Sequence, residues 1–166
     1  MPANGGDALE ARLTRWLDEE GLTHRRVDVQ GMRFALEVKS HTGLTYNVGQ
    51  QVPPSDAIAI SGSIILPDKF KNTFERAPKR KRLLFLQDLR FDLLLAGHTF
   101  GFNPPTGTPN QIVVGAQVWE DGLTKDSFMR AMQQVVNGLV LVVWSVDEGT
   151  SYLTSARKSR RKRPTG

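Results

Sequence analysis

MRFALEVKSHTGLTYNVGQQ, residues 32–51, decides the fold. Met32, Phe34, Leu36 and Val38 alternate strictly with Arg33, Ala35, Glu37 and Lys39, the two-residue period of a strand with one dry and one wet face. His41–Gly43 supplies a turn, and Thr45–Gln51 reads as the returning strand. Hairpin-linked strands of this kind build an antiparallel sheet with one face packed on a core and the other in water.

Working outward from the hairpin, Leu22–Val29 reads as a weak strand before it. Beyond Pro53 and Pro54, the β-rich stretch from Ala57 to Leu66 reads as a further strand. At the chain start, Asp7 and Glu10 stand in capping-box spacing, Leu9, Leu13, Trp16 and Leu17 recur at helical period, and Gly21 is a stop, which predicts a helix at about 7–20. From Pro67 the period becomes helical, with Phe70 and Phe74 one turn apart, a break at Pro78 and a second run from about Lys79 to Ala96. His98, Phe100 and Phe102 then alternate as a short strand. A Pro/Gly-rich loop at 103–110, a strand at Ile112–Trp119, a turn at Asp121-Gly122 and a last helix at about 124–146, capped by Thr124, complete the order. Runs of strands and helices in the order α-β-β-β-(β)-α-β-β-α predict an α+β domain, with an antiparallel sheet of about five to six strands and helices packed on it. The expected division is one folded domain over 1–149 and a disordered basic tail over 150–166, which adds little to folding. Trp16 and Trp144, each on the apolar stripe of its helix, are expected to be buried, and Trp119, at a strand end, exposed.

The helix at 79–96 has an unusual wheel. At 100° per residue, Leu83, Leu84, Phe91, Leu94 and Leu95 span one arc of roughly 120°, and Phe85, Leu86, Leu89, Leu93 and Ala96 span another. One sheet covers only one arc. A homodimer built partly on Leu83, Leu84, Phe91, Leu94 and Leu95 is therefore expected, with cover by the terminal helices of the same chain as the competing explanation. Arg90 falls between the arcs and must snorkel or pair, an ion pair being the expected solution.

Composition narrows the chemistry. The 166 residues include no cysteine, which removes thiol nucleophiles, disulfides and thiolate metal sites. Arg157, Lys158, Arg160, Arg161, Lys162 and Arg163 number one more than the formal net charge of +5, so the rest of the chain sums to −1. Nucleic-acid or acidic-partner contacts thus belong first to these six tail residues. No aromatic side chain is interleaved with them to stack on bases. The longest apolar run, Leu139–Trp144, is far short of the roughly 20 residues of a membrane span, and the first residues lack a basic-then-apolar signal layout, so a cytoplasmic location and no membrane partner are expected.

Three stretches carry a resemblance: Arg15–Leu22 (RWLDEEGL), Leu86–Leu94 (LQDLRFDLL) and Asp121–Phe128 (DGLTKDSF). Over about residues 8–148 the chain resembles a family of uncharacterised archaeal and bacterial proteins similar in fold to the type III secretion chaperones, the Tir-chaperone-like group. That resemblance implies a small binding domain, often dimeric, whose middle helix helps form the subunit contact. It brings no functional residues with it, and the Gly-rich start and basic end depart from the common domain.

Phosphate-binding motifs are absent: neither G-x-x-x-x-G-K-[ST] nor a strand-to-helix G-x-G-x-x-G occurs. Ser61-Gly62-Ser63 lacks the context of a nucleophile elbow and reads as close packing in a strand. His24, His41 and His98 lie far apart in sequence, and Asp88 and Asp92, at i,i+4, read as a solvated helix edge. Lys79-Arg80-Lys81-Arg82 sits at a helix start, where the dipole disfavours cations. No catalytic residue, metal site or cofactor is expected. The sequence predicts a non-enzymatic protein-binding domain, chaperone- or adaptor-like, with an unidentified protein partner. The alternative is a nucleic-acid-associated accessory protein acting through its tail.

Overall fold

The computed structural model describes residues 5–52 and 56–155. Helix α1 (Gly5–Glu19) leads into strands β1 (Thr23–Arg26), β2 (Met32–Lys39), β3 (Thr45–Gln51) and β4 (Ala57–Ile65). Helices α2 (Asp68–Arg76) and α3 (Lys79–Leu95), strands β5 (Thr99–Asn103) and β6 (Gln111–Trp119), and the long helix α4 (Lys125–Thr154) follow. The strands form one six-stranded sheet in the order β1-β2-β3-β4-β6-β5, antiparallel at every pair. This is the α+β architecture expected from the order of patterns.

Strand alternation puts Leu36, Val38, Tyr46, Val48, Ile58, Ile60, Ile112 and Val114 on one buried face. Helix α4 packs on that face across β4 and β6, and α1 across β1 and β2. Gly62 marks the closest approach: a Cβ there would sit 2.6 Å from Leu139 Cδ1, so the glycine between Ser61 and Ser63 is a packing requirement of α4. The opposite face presents Glu37, Lys39, Thr45, Asn47, Ser61, Ser63 and Gln117, small or charged groups suited to water.

Helix boundaries follow from local chemistry. Ala77 and Pro78 are both extended (φ −72°, ψ 149° and φ −54°, ψ 140°), which separates α2 from α3 where the proline requires it. At α4, Thr124 Oγ1 accepts from the Ser127 backbone N–H at 3.1 Å and Ser127 Oγ accepts from the Thr124 N–H at 2.9 Å, a reciprocal capping box. Lys125 Nζ bridges Glu19 and Glu20 at 2.9 and 2.7 Å, joining the end of α1 to the start of α4, and both carboxylates raise its pKa.

Several expectations are corrected. Asp7 is not the cap of α1, because the helix begins at Gly5 and Asp7 lies in its first turn. The first strand is shorter than Leu22–Val29, and Asp121-Gly122 forms one turn of 3-10 helix with Glu120. Helix α4 runs to Thr154, past both the expected helix end at 146 and the expected domain end at 149, because Val146, Gly149 and Leu153 continue its buried stripe. Trp16 is buried against Phe128 and Trp119 is exposed, as expected, but Trp144 is 65% exposed. The sheet sets the buried direction of α4 through Leu139, Val142 and Val146, and Trp144 is rotated out of it. The tail cations Arg157, Lys158, Arg160, Arg161, Lys162 and Arg163 lie outside the described residues.

Candidate functional site

Helix α3 settles which of its two arcs the chain covers. Phe85, Leu86, Leu89 and Leu93 are buried, Phe85 within an aromatic cluster with Phe70 and Phe74 of α2 at 5.3 and 6.3 Å. Leu83, Leu84, Phe91, Leu94 and Leu95 all stay exposed, from 37% at Leu84 to 84% at Leu95. The competing explanation, cover by the terminal helices, fails among the described residues: α4 packs on the arc that is already buried, and α1 lies against β1 and β2. One helix thus carries five large apolar side chains together on a water-facing side, with Arg80 and Gln87 among them by helical spacing. Arg90 makes no ion pair among the described residues; its guanidinium lies 4.9 Å from the Phe102 ring centroid. That stacking keeps the charge half in water and explains why a carboxylate partner is not needed.

Between α3 and α4 runs a groove of about 180 Å³ lined by Phe85, Asp88, Leu89, Asp92, Ser145, Glu148, Gly149 and Tyr152. Its floor is apolar and its rim carries three carboxylates, none of which has a cationic partner among the described residues. At one end Lys81 Nζ donates to the Tyr152 carbonyl at 3.1 Å and to the Ser155 carbonyl, and sits 5.4 Å from the Tyr152 ring centroid. A cation that opposes the dipole of its own helix is therefore held at the C-terminal end of α4, where the dipole favours it.

A second cleft, of about 220 Å³, opens between α4 and the β2–β3 turn, lined by Leu22, Tyr46, Met129, Met132 and Val136 with Ser40, His41, Thr42 and Gln133 at its edge. The Tyr46 hydroxyl, buried there, donates to the Met132 sulfur at 3.5 Å, and burial pushes its pKa up to about 12. Tyr46 could not be singled out from its pattern, since a tyrosine in a strand core looks like any other apolar residue.

The histidines do not converge. His24 Nε2 lies 2.8 Å from Asp18 Oδ1, His41 is exposed at the turn, and His98 is buried beside Gly138 of α4 with no partner for Nδ1. Burial holds the His98 pKa below the ordinary 6.5. Because the unfolded chain takes up the proton first, stability should be fully present above pH 6.5 and fall as the pH drops toward the lower folded value. A urea midpoint that declines on lowering the pH below about 6.5, with the decline reduced in His98→Leu, is the expected result. A pH dependence identical in the two proteins would remove His98 as its source.

With this geometry in hand, comparison with known proteins is informative about family and fold. The profile of a family described as "uncharacterized conserved protein (DUF2299)" matches residues 9–146. The chain belongs to that family. Among solved structures, an uncharacterized protein from Methanothermobacter thermautotrophicus is 24% identical, with a TM-score of 0.78 over 84% of this chain and 96% of its own. That likeness shows the fold alone. YbjN from E. coli is 14% identical, with a TM-score of 0.46 over 86% of this chain and 91% of its own. No curated protein matches. Among the described residues of this DUF2299 chain, no helix is long and apolar enough to cross a membrane.

Proposed function

We propose that the chain is a non-enzymatic protein-binding domain, adaptor- or chaperone-like, that works as a homodimer through the outer face of α3. The observation that supports this reading is the set Leu83, Leu84, Phe91, Leu94 and Leu95, exposed together on one helix. Monomeric soluble proteins avoid contiguous apolar surface of this kind, and a large patch marks an interaction site. The free face of the sheet offers mostly small polar and charged groups, with Ile65 and Trp119 exposed singly and far apart, so the clustered helix surface is the better docking face.

Charge selects the occupant and its direction. Lys79, Arg80, Lys81 and Arg82 stand at the start of α3, and Asp88 and Asp92 in its second half. Two copies of α3 packed antiparallel about a two-fold axis near Gln87 oppose the two helix dipoles and keep the two cationic helix starts apart. A parallel arrangement would place like charges together. Binding through tail cations to nucleic acid is the alternative; it rests on the sequence alone.

Sedimentation decides the dimer. The wild-type protein at micromolar concentration should run as a dimer, and Leu84→Glu with Phe91→Glu should give a folded monomer, since both positions face water in the isolated subunit. A buried, unpaired carboxylate costs several kcal/mol, enough to shift the dimer equilibrium by about two to three orders of magnitude. A wild-type monomer at that concentration would overturn the proposal.

A further inference from the structure

The groove between α3 and α4 has a shape and a charge that no element of the described chain uses. Its walls bring Asp88, Asp92 and Glu148 to one rim over an apolar floor of Phe85 and Leu89. The three carboxylates come from two helices whose approach is fixed at Gly149, so the charge is held in place by packing. Lys81 shows what the site favours: an ammonium group rests at its open end against the Tyr152 ring and the last carbonyls of α4.

The chain leaves α4 at that same end. Because Lys81 meets Tyr152 and Ser155 while Phe85 meets Gly149, α3 and α4 run antiparallel, and the groove extends from Ser155 back along α4 toward Ser145. Ten helical residues cover about 15 Å. An extended segment advances about 3.3 Å per residue, so the residues after Ser155 need only about five positions to travel the groove. Arg157, Lys158 and Arg160 fall within these five positions, and Arg161, Lys162 and Arg163 follow directly, leaving length for the turn back.

We propose that the basic segment 156–163 folds back along the α3–α4 groove of its own chain, with its cations opposite Asp88, Asp92 and Glu148. The contact is a charge-matched strap, rim-exposed and salt-sensitive, in which many weak pairs are gathered by a short tether. While docked, the strap neutralises the cations that would otherwise meet phosphate, so an acidic ligand has to compete with the groove.

The absence of cysteine makes the test direct. A nitroxide attached at Ser159→Cys in the full chain reports its surroundings through broadening of amide signals. At low ionic strength the amides of Asp92, Ser145, Glu148 and Gly149 should lose about half their intensity or more against the reduced label, and should recover near 1 M salt, where screening acts within about 3 Å. They should also recover in Asp88→Asn/Asp92→Asn/Glu148→Gln, substitutions at water-facing positions that leave the core untouched. Broadening that is unchanged in the neutral variant, absent altogether, or equally strong at Thr45 and Ser63 on the free sheet face would overturn the strap. Labelled tail mixed with isotope-enriched, label-free protein separates the remaining case: broadening in the enriched molecules would mean docking between chains, and the intrachain proposal would fall.

Discussion

Phe128→Ala should cost about 3–5 kcal/mol of folding stability, the range for removing a fully buried aromatic side chain. Phe128 is completely buried in the first turn of α4, with its ring 5.9 Å from that of Trp16. It therefore joins the helix that crosses the sheet to the helix that covers the other end of it. The Thr124–Ser127 capping box holds the helix start immediately before it, and Lys125 ties that start to Glu19 and Glu20. A void here has little freedom to close, because both neighbouring backbones are fixed by hydrogen bonds and ion pairs. Urea unfolding should show a lower midpoint with an unchanged slope. Trp16 is the natural reporter, being buried while Trp119 and Trp144 are exposed. A loss below about 1 kcal/mol would mean that the start of α4 relaxes into the space, contrary to the rigidity assigned to its cap.

The sheet was legible because its residues obey one local rule. Met32, Phe34, Leu36 and Val38 alternate with Arg33, Ala35, Glu37 and Lys39, and the structure places Phe34, Leu36 and Val38 in the core as that alternation requires, while Ala35 on the other face is buried as well. Proline and glycine marked the connections for equally local reasons: Pro78 disfavours helical backbone at Ala77, and Gly97 adopts φ 76° at the end of α3. Where the pattern loses contrast, the reading fails. The run Leu139–Trp144 in α4 is apolar on every side, so no polar edge within it fixes which direction faces the sheet, and Trp144 was assigned to the wrong one. The same lack of contrast hid the end of the helix: Leu153 is buried, but the polar residues around it look like the start of a linker.

The site divides along the same line. The five outer residues of α3 could be named from a wheel, because exposure of a second arc follows from there being only one sheet. Arg90 could be flagged as needing a solution but not given one, since Phe102 comes beside it only through the α3–β5 connection. The acidic groove was invisible for a related reason: Asp88 and Asp92 are an ordinary solvated pair until Glu148 is brought to them from the far end of another helix. Tyr46 and His98 belong to the same class, groups whose character comes from what is packed over them.

The contact that assembles both the groove and the outer face is Gly149 against Phe85, and Gly149→Val should therefore have consequences beyond stability. A Cβ at this position would fall 2.9 Å from Phe85 Cδ2, closer than carbon atoms approach one another. The Phe85 ring has nowhere to retreat, because Phe70 and Phe74 hold it from the other side at 5.3 and 6.3 Å. Valine improves helix propensity over glycine by a few tenths of a kcal/mol, and overpacking costs about 1–3 kcal/mol, so the clash wins and the variant should be less stable by about 1–3 kcal/mol. Relief can come only by moving α3 off α4. That motion widens the groove and turns Leu84 and Phe91 away from the direction a two-fold partner requires, so a dimer should weaken along with the fold. Phe85→Ala removes the opposing ring; combined with Gly149→Val, it should be clearly less destabilising than the sum of the two single changes, as expected for residues in direct contact. Strict additivity in urea unfolding would mean that the helices do not meet at this point, and the fixed spacing of the three groove carboxylates would lose its physical basis.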